Sequence, residues 1–265
     1  MGLGLYVLTI VLPLTWALST SLKTGPEIFA HPWGPPSSPA FGNFGKAWTE
    51  AGIGSYFFNS VFATGVTLLV LLPIGALAAY VFARFRFWGR NVLYTAMIAQ
   101  MLFPNFLVVV PVFLLLKDMS LLGTRQGLVL VYVAYSLSFT IFVLRGFFES
   151  IPLEMEEAAV IDGCSPLQVF WRVMMPLCRP ALVMVAIFNG IGLWNEYQLA
   201  LVLCTDKNFK TLPLGIAELV MTQHYESDWG AMFAGLVITM IPVMVVYWIF
   251  QDRIHQAMLA GAVKG

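Results

Sequence analysis

An amide and a carboxyl group lie inside an otherwise apolar segment in the second half of the chain. The segment contains Asn189 and then the run Trp194-Asn195-Glu196-Tyr197. An ionisable side chain among apolar residues is costly to bury, and it is usually turned towards the interior of a helix bundle or a wet cavity. Glu196 therefore has two interpretations: a role in a pathway or gate, and a structural hydrogen bond between helices. Its protonation state is open in both.

A second set of polar residues forms the longest charged interruption late in the chain, from Glu157 to Pro176. The residues just before and within it predict a helix that starts near Ser150 and Pro152. Three acids fall in its first two turns, where the helix dipole favours negative charge: Glu154, Glu156 and Glu157. Gly163 predicts the end of this helix, because glycine takes a positive φ readily.

A second short helix is predicted after the glycine. Ser165-Pro166-Leu167-Gln168 has the spacing of a capping box, with proline at the first helical position. This helix is expected to run to Met175, with Pro176 at its end and Arg179-Pro180 at the entry to the next apolar segment. Two short helices that meet at a glycine form a compact, protruding knob.

The knob has surfaces that suit docking to another protein. Glu157 and Asp162 offer negative charge to basic partners. Several apolar side chains are expected to fill a shallow groove: Ala158, Ala159, Leu167, Val169 and Phe170. Because an apolar side on a hairpin in water would otherwise stay exposed, docking is favoured over a solvated loop whose charges only set the topology.

The sequence has no convincing motif for a catalytic site, a metal site or a nucleotide site. His31, His224 and His255 are scattered, and Gly163-Cys164-Ser165 lacks the second glycine of a nucleophile elbow. The segment nearest to a P-loop, Gly-Asn-Phe-Gly-Lys at 42–46, is too short between its glycines and has no Ser or Thr after the lysine. We therefore predict no catalytic residue, no metal site and no nucleotide site in this chain.

The elements that must position these residues are membrane helices. Of 265 residues, 59% are hydrophobic and 11% are charged, and the mean hydropathy is +0.82, far outside the range of a soluble domain. A bilayer core of ~30 Å needs about 20 mostly apolar residues per helix. Uncharged runs of about this length predict one all-α domain, 1–265, with six spans: 3–21, 60–82, 92–116, 126–144, 180–203 and 229–250.

The placement of charge predicts which side of the membrane each loop faces. The net charge is zero, so nothing suggests that the chain binds nucleic acid. The loop after the second span holds three arginines and no acid, which places it in the cytoplasm. Because the number of spans is even, both termini lie on the same side of the membrane. The cytoplasmic side is therefore predicted to hold both termini, the loop at 149–179 and the tail at 251–265, and the loop at 22–59 is predicted to be external.

Two spans carry features that bear on a pathway. Pro104 and Pro111 are expected to kink the third span or break its hydrogen-bond ladder. The fourth span carries hydroxyl groups, which can bond to their own helix or across to another and so indicate a pathway weakly. They belong to Tyr132, Tyr135, Ser136, Ser138 and Thr140.

The spacing within the knob carries a resemblance to a known family. Glu157-Ala158-Ala159 is followed by Gly163 after three residues and by Val173-x-Met175-Pro176 after nine more, which resembles the EAA loop of permease subunits of ABC-type importers. The family pattern ends in I-x-L-P, and the departure here is conservative. Further segments are similar to the maltose-type carbohydrate branch, in the subunit with six spans: Ser21-Leu22-Lys23, Asn59-Ser60, Trp194-Asn195-Glu196-Tyr197 and Gly-Ala-Val-Lys-Gly at 261–265.

The resemblance implies a type I ABC importer transmembrane fold and half of a transporter in a bacterial or archaeal cytoplasmic membrane. Such a permease pairs with a second, homologous permease and offers its EAA loop to a dimer of cytoplasmic ATPases. Glu157 would face a basic residue of the ATPase, and Gly163 would be the turn. Further members of this coupling site are Ala158, Ala159, Asp162 and Pro176.

The same resemblance implies an extracytoplasmic sugar-binding protein and membrane lipid as partners. The chain would bind no cofactor itself, and ATP and Mg would belong to the partner ATPase. Closure of the ATPases would drive alternating access. Asn189, Trp194, Asn195 and Tyr197 are the candidate sugar contacts, and Glu196 joins them in the predicted substrate pathway. The alternatives are an importer permease for another solute class and, less favoured, a stand-alone secondary transporter.

Overall fold

The computed structural model describes residues 2–226 and 228–262, which are almost entirely helical and contain no strand. The helices are α1 (Gly2–Ser21), α2 (Gly25–Ala30), α3 (Gly42–Thr49), α4 (Ile53–Arg84), α5 (Arg90–Gln100), α6 (Asn105–Asp118), α7 (Arg125–Ser150), α8 (Glu154–Ile161), α9 (Pro166–Gln168), α10 (Met175–Leu177), α11 (Arg179–Trp194), α12 (Gln198–Leu203), α13 (Leu212–Glu226) and α14 (Trp229–Ala262). A π-helical segment, Val169–Met174, joins α9 to α10, and a 3₁₀ turn, Lys207–Phe209, precedes α13.

Four continuous helices in the described part of the chain are long and apolar enough to cross a bilayer. They are Gly4–Ser21, Ile53–Arg84, Arg125–Ser150 and Trp229–Asp252, at the positions of the first, second, fourth and sixth predicted spans. A fifth candidate is a bent pair, Pro166–Leu177 and Arg179–Trp194, with 72° between its members. The prediction of an all-α membrane protein is confirmed, and the full count of six spans stays a prediction.

The third predicted span, 92–116, is divided into two helices. α5 ends at Gln100, and α6 begins after Pro104, whose φ of −61° and ψ of 134° are extended rather than helical. This is the break expected from a proline that lacks an N–H and clashes with the preceding turn. Pro111 lies inside α6 and does not interrupt it.

Two other predicted spans differ in their bounds. α4 begins at Ile53 rather than at residue 60, because the aromatic residues of its first turns pack on Trp48, with ring centroids 5.7 and 6.0 Å away. Ser55 and Asn59 are polar and lower the mean hydropathy of these turns, so the sequence did not predict that the helix begins here. The predicted fifth span, 180–203, contains α11 and α12, and the break between them falls at residues 195–197.

The chain forms two compact units. The first contains the residues up to Val61 together with 204–249, and the second contains 62–203 and the residues from Phe250 onward. In the first unit, Lys23 is fully buried, and its Nζ donates to two backbone carbonyls of the following loop at 2.9 and 3.2 Å. Asn59 and Ser60 bind backbone groups of the segment 208–212 in the same unit. Two of the segments that carry the family resemblance are therefore structural.

The second unit is built on the close approach of α4 and α7. A Cβ added to Gly75 would lie 2.4 Å from Thr140 Cγ2, so only glycine permits this contact. Small residues at such crossings allow membrane helices to pack by close van der Waals contact. One continuous apolar core joins α4, α7, the 149–179 hairpin and α11: Ala76, Ala79, Tyr80, Phe82, Ile141, Leu144, Phe148, Ala159, Val169, Phe170, Met174, Cys178, Ala181 and Val185.

Candidate functional site

The predicted knob is a helical hairpin whose turn has a defined geometry. We call residues 149–179 the hairpin. Gly163 has a φ of +83°, and its N–H donates to the carbonyl of Val160 at 3.0 Å. The N–H of Cys164 donates to the carbonyl of Ala159, also at 3.0 Å. This pair of bonds is the Schellman motif, so the predicted glycine stop after α8 is confirmed.

The second helix of the hairpin starts with the predicted capping box. The Ser165 hydroxyl accepts a bond from the Gln168 N–H at 3.4 Å, and the Ser165 N–H donates to Gln168 Oε1 at 2.8 Å. Pro166 occupies the first turn, where its missing N–H costs nothing. Both helices and the turn therefore follow from local sequence rules.

Two predicted boundaries of the hairpin are wrong. Ser150 does not start α8 but is the last residue of α7, and its hydroxyl donates to the Phe147 carbonyl at 2.7 Å. Pro176 does not end the second helix. The π-helical segment before it moves the carbonyl that its ring would meet in an α-helix, and the chain bends only at Cys178.

The apolar side of the hairpin serves a different purpose from the one predicted. Ala159, Val169 and Phe170 are buried inside the second unit rather than offered to a partner's groove. Phe170 packs against Tyr80 and Phe148 with tilted rings, whose centroids are 5.2 and 6.4 Å away. The hydrophobic pattern identified apolar side chains, but these three are covered by α4 and α7.

The exposed surface of the hairpin is formed by other side chains around the turn. Glu157, Ala158 and Asp162 are exposed, as predicted for docking residues. The large apolar side chains beside them are Val160, Ile161 and Leu167, and Ile161 is 84% exposed. This surface combines negative charge with apolar area at the end of the second unit's core.

Glu196 is held by three donors. Its Oε1 accepts the Leu199 N–H at 2.6 Å, and its Oε2 accepts the Ala200 N–H at 3.0 Å and the Tyr132 hydroxyl at 2.8 Å. Glu196 lies two residues before α12, and its carboxylate satisfies N–H groups of the first turn that have no partner within the helix. The Tyr132 bond joins α7 to α12. This geometry favours the structural interpretation of Glu196.

Asn189 is the predicted pathway residue that lines a cavity. The cavity has a volume of about 750 Å³ and a mostly apolar wall, with polar contributions from Gln100, Tyr135, Ser136 and Asn189. Asn189 Nδ2 donates to Thr140 Oγ1 and to the Val185 carbonyl, both at 3.0 Å. Its amide is thereby fixed at the wall, among the hydroxyls predicted in the fourth span.

The other predicted pathway residues lie outside the wall of that cavity. Trp194 is buried, Tyr197 is half-buried, and Asn195 is exposed and bonds to the Ile191 carbonyl of its own helix. Gln100 was missed, although its Oε1 accepts a bond from Ser138 at 2.7 Å and its side chain lines the cavity. The sequence did offer a sign of Gln100, since an amide side chain lies four residues before the helix-breaking Pro104 in an apolar segment.

The family of the chain follows from a comparison with family models. The model of the family "Binding-protein-dependent transport system inner membrane component" matches residues 71–260. The chain belongs to this family. It is therefore a multi-pass inner membrane protein and a permease subunit of an ABC importer, and the structure has the fold of one.

Similar proteins include two permeases and a solved transporter. This chain is 43% identical over 260 residues to the diacetylchitobiose uptake system permease protein NgcG of Streptomyces coelicolor, and the match covers 98% of this chain and 86% of that protein. It is 35% identical over 255 residues to the trehalose transport system permease protein SugB of Mycobacterium tuberculosis, covering 96% and 93%. A chain in the crystal structure of a bacterial ABC transporter involved in alginate import matches with a TM-score of 0.81 and 26% identity, covering 94% and 92%.

Other predicted features of the permease have simple structural explanations. Lys46, the lysine of the segment compared with a P-loop, lies 3.0 Å from the Asp228 carboxylate, and this hydrogen bond raises the pKa of Lys46. Among the described residues, no three His, Cys, Asp or Glu side chains are grouped to hold a metal ion. Of the predicted tail, 251–265, residues 263–265 lie outside the described residues, and α14 extends through Ala262.

Proposed function

We propose that this permease is half of the translocation pathway of an ATP-driven importer of sugars or oligosaccharides. The observation that carries the proposal is the hairpin, whose turn, charges and exposed apolar side chains are already arranged for docking. Its base is part of the core of α4 and α7. A partner that grips the turn would therefore act directly on membrane helices, which alternating access requires.

The partners in this proposal are those that the family implies. ATP and Mg are bound by a dimer of cytoplasmic ATPases that dock on the hairpin, and the permease binds no cofactor. A second, homologous permease completes the pathway, an extracytoplasmic binding protein delivers the solute, and lipid surrounds the spans. The hairpin and both termini lie on the cytoplasmic side, because the loop that follows α4 carries arginines and no acid, as cytoplasmic loops do.

A carbohydrate is the favoured solute. Two of the similar permeases are named for the uptake of diacetylchitobiose and trehalose, and the similar transporter structure is described as importing the polysaccharide alginate. Within the permease, the Asn189 amide and the neighbouring hydroxyls offer hydrogen bonds of the kind that sugars use. The predicted pathway residues stay Asn189, Trp194, Asn195, Glu196 and Tyr197, and the position of Asn189 at the cavity wall supports its inclusion.

Uptake by the reconstituted importer tests this function. The permease is co-purified with its ATPase and second permease, placed in proteoliposomes that enclose ATP, and supplied with the binding protein and a labelled disaccharide. We expect uptake that requires enclosed ATP and is competed by unlabelled sugar but not by an amino acid. Uptake of an amino acid instead would contradict the sugar assignment, and flux through the permease alone under an ion gradient would identify a secondary transporter.

A further inference from the structure

The end of α4 is tied to the hairpin by polar side chains as well as by the apolar core. Arg84, the last residue of α4, donates from Nε to Glu156 Oε1 in α8. Glu156 Oε2 accepts the Tyr80 hydroxyl, one turn earlier on α4, at 2.7 Å. The Arg84 and Glu156 side chains are only 10% and 15% exposed. We call Tyr80, Arg84 and Glu156 the clamp.

Arg84 also holds the connection between α7 and α8. Its Nη2 donates to the Ile151 carbonyl at 2.6 Å. Ile151 follows α7 and has the extended conformation, with φ −77° and ψ 129°, that a residue before proline prefers. Its carbonyl is thus outside the helical ladder and needs another donor. One guanidinium group therefore joins the ends of α4 and α7 to the start of α8.

Glu156 is set apart from its acidic neighbours by this environment. Glu154 and Glu157 are exposed on the same helix, whereas Glu156 is directed at α4. A hydrogen-bonded ion pair with little access to water resists separation, because removing either partner leaves the other charge buried and unpaired. The clamp thus fixes the position of α8 relative to the end of the membrane helix.

We propose that the clamp passes movement of the hairpin to α4 during transport, with Arg84 and Glu156 as positioning residues. The proposal rests on the function given above, in which an ATPase grips the exposed side of the hairpin. The aromatic contacts of Phe170 hold the base of the hairpin's second helix, and the clamp holds its first helix. With both attached, displacement of the turn moves α4 with the hairpin instead of bending α8 away from it.

The first test compares two neutralised glutamates on the same helix. Glu156→Gln removes the charge of the clamp, and Glu154→Gln is the matched control at an exposed site. In the reconstituted importer, we expect Glu156→Gln to lower the sugar transported per ATP hydrolysed by roughly tenfold, within the usual range of coupling between distant sites. ATP hydrolysis and ATPase retention should persist, since the docking surface is intact, and Glu154→Gln should match the parent protein.

A distance measurement separates positioning from simple stabilisation. Spin labels are placed at Met155, an exposed residue of α8 outside the surface around the turn, and at exposed Arg86 beyond α4, in a variant without native cysteines. In the parent complex, we expect one narrow distance distribution that is unchanged when ATP is trapped. In Glu156→Gln, the distribution of distances between the labels should broaden, and it should shift when ATP is trapped, although the amount of assembled complex is the same.

Each outcome has a distinct meaning. Equal coupling ratios in Glu156→Gln and Glu154→Gln, or equal distance distributions in Glu156→Gln and the parent, would overturn the clamp. Absence of ATP-dependent sugar uptake in the parent complex would instead contradict the proposed function. The distance measurement would then still decide whether Glu156 holds α8 to α4, because it needs only the assembled complex and trapped nucleotide.

Discussion

Replacing Gly163 with valine is expected to uncouple ATP hydrolysis from uptake while the membrane helices stay assembled. Gly163 has a φ of +83°, and nothing lies within 4 Å of a Cβ added there. The cost is therefore one of backbone conformation and not of steric contact with neighbouring side chains. Left-handed backbone costs an ordinary residue about 1–2 kcal/mol, and a β-branched residue more. Relief of that strain would break the two Schellman bonds and change the angle of the turn.

A series at this one position separates conformation from size. Asparagine tolerates positive φ better than alanine, and alanine better than valine, although asparagine and valine are of similar size. We expect uptake to decrease in the order Gly, Asn, Ala, Val, and to fall by roughly tenfold or more in Gly163→Val. Uptake and ATP hydrolysis are measured on equal amounts of assembled complex. Normal uptake by Gly163→Val would show that the turn does not transmit force.

The largest loss of stability is expected from Glu196→Leu. This change leaves the Leu199 and Ala200 N–H groups without their acceptor, and both residues are at most 2% exposed. It also removes the bond from the Tyr132 hydroxyl. Each buried donor without an acceptor costs about 1–3 kcal/mol. We expect the permease to unfold at a markedly lower temperature in detergent. Glu196→Gln should lie between Glu196→Leu and the parent, because it keeps one acceptor oxygen.

The neighbouring residue supplies the control for this prediction. Asn195 is exposed, and its amide bonds only to the carbonyl of Ile191 one turn earlier. Asn195→Ala is therefore expected to change stability by about 0.5 kcal/mol or less, the usual range for surface substitutions. If Glu196→Leu proved as stable as Asn195→Ala but lost uptake, the pathway or gating interpretation would replace the structural one.

Local rules explain why the hairpin could be predicted in such detail. A glycine stop and a capping box depend on residues three to five apart, so Gly163 and Ser165 could be interpreted without knowledge of the fold. The length of the second helix depends on more than spacing. A π-helical segment accommodates Pro176, and nothing in the spacing predicts it.

Contacts between distant segments account for what the sequence did not predict. Glu196 stood out as a carboxyl group in an apolar segment, but its partner Tyr132 is 64 residues away. Phe170 was recognised as apolar, while its burial depends on Tyr80 and Phe148. Glu156 looked like one more acid favoured by a helix dipole, and only the approach of α4 distinguishes it from Glu157.

The central claim is that the cytoplasmic ATPase grips the exposed turn of the hairpin. A photo-crosslinking amino acid at Ile161, which is 84% exposed, tests it most directly, with Trp33 of the predicted external loop, 76% exposed, as the matched position. In membranes that contain the whole importer, we expect Ile161 to crosslink to the ATPase and Trp33 not to. A crosslink to the ATPase from Trp33, or none from Ile161, would contradict the account.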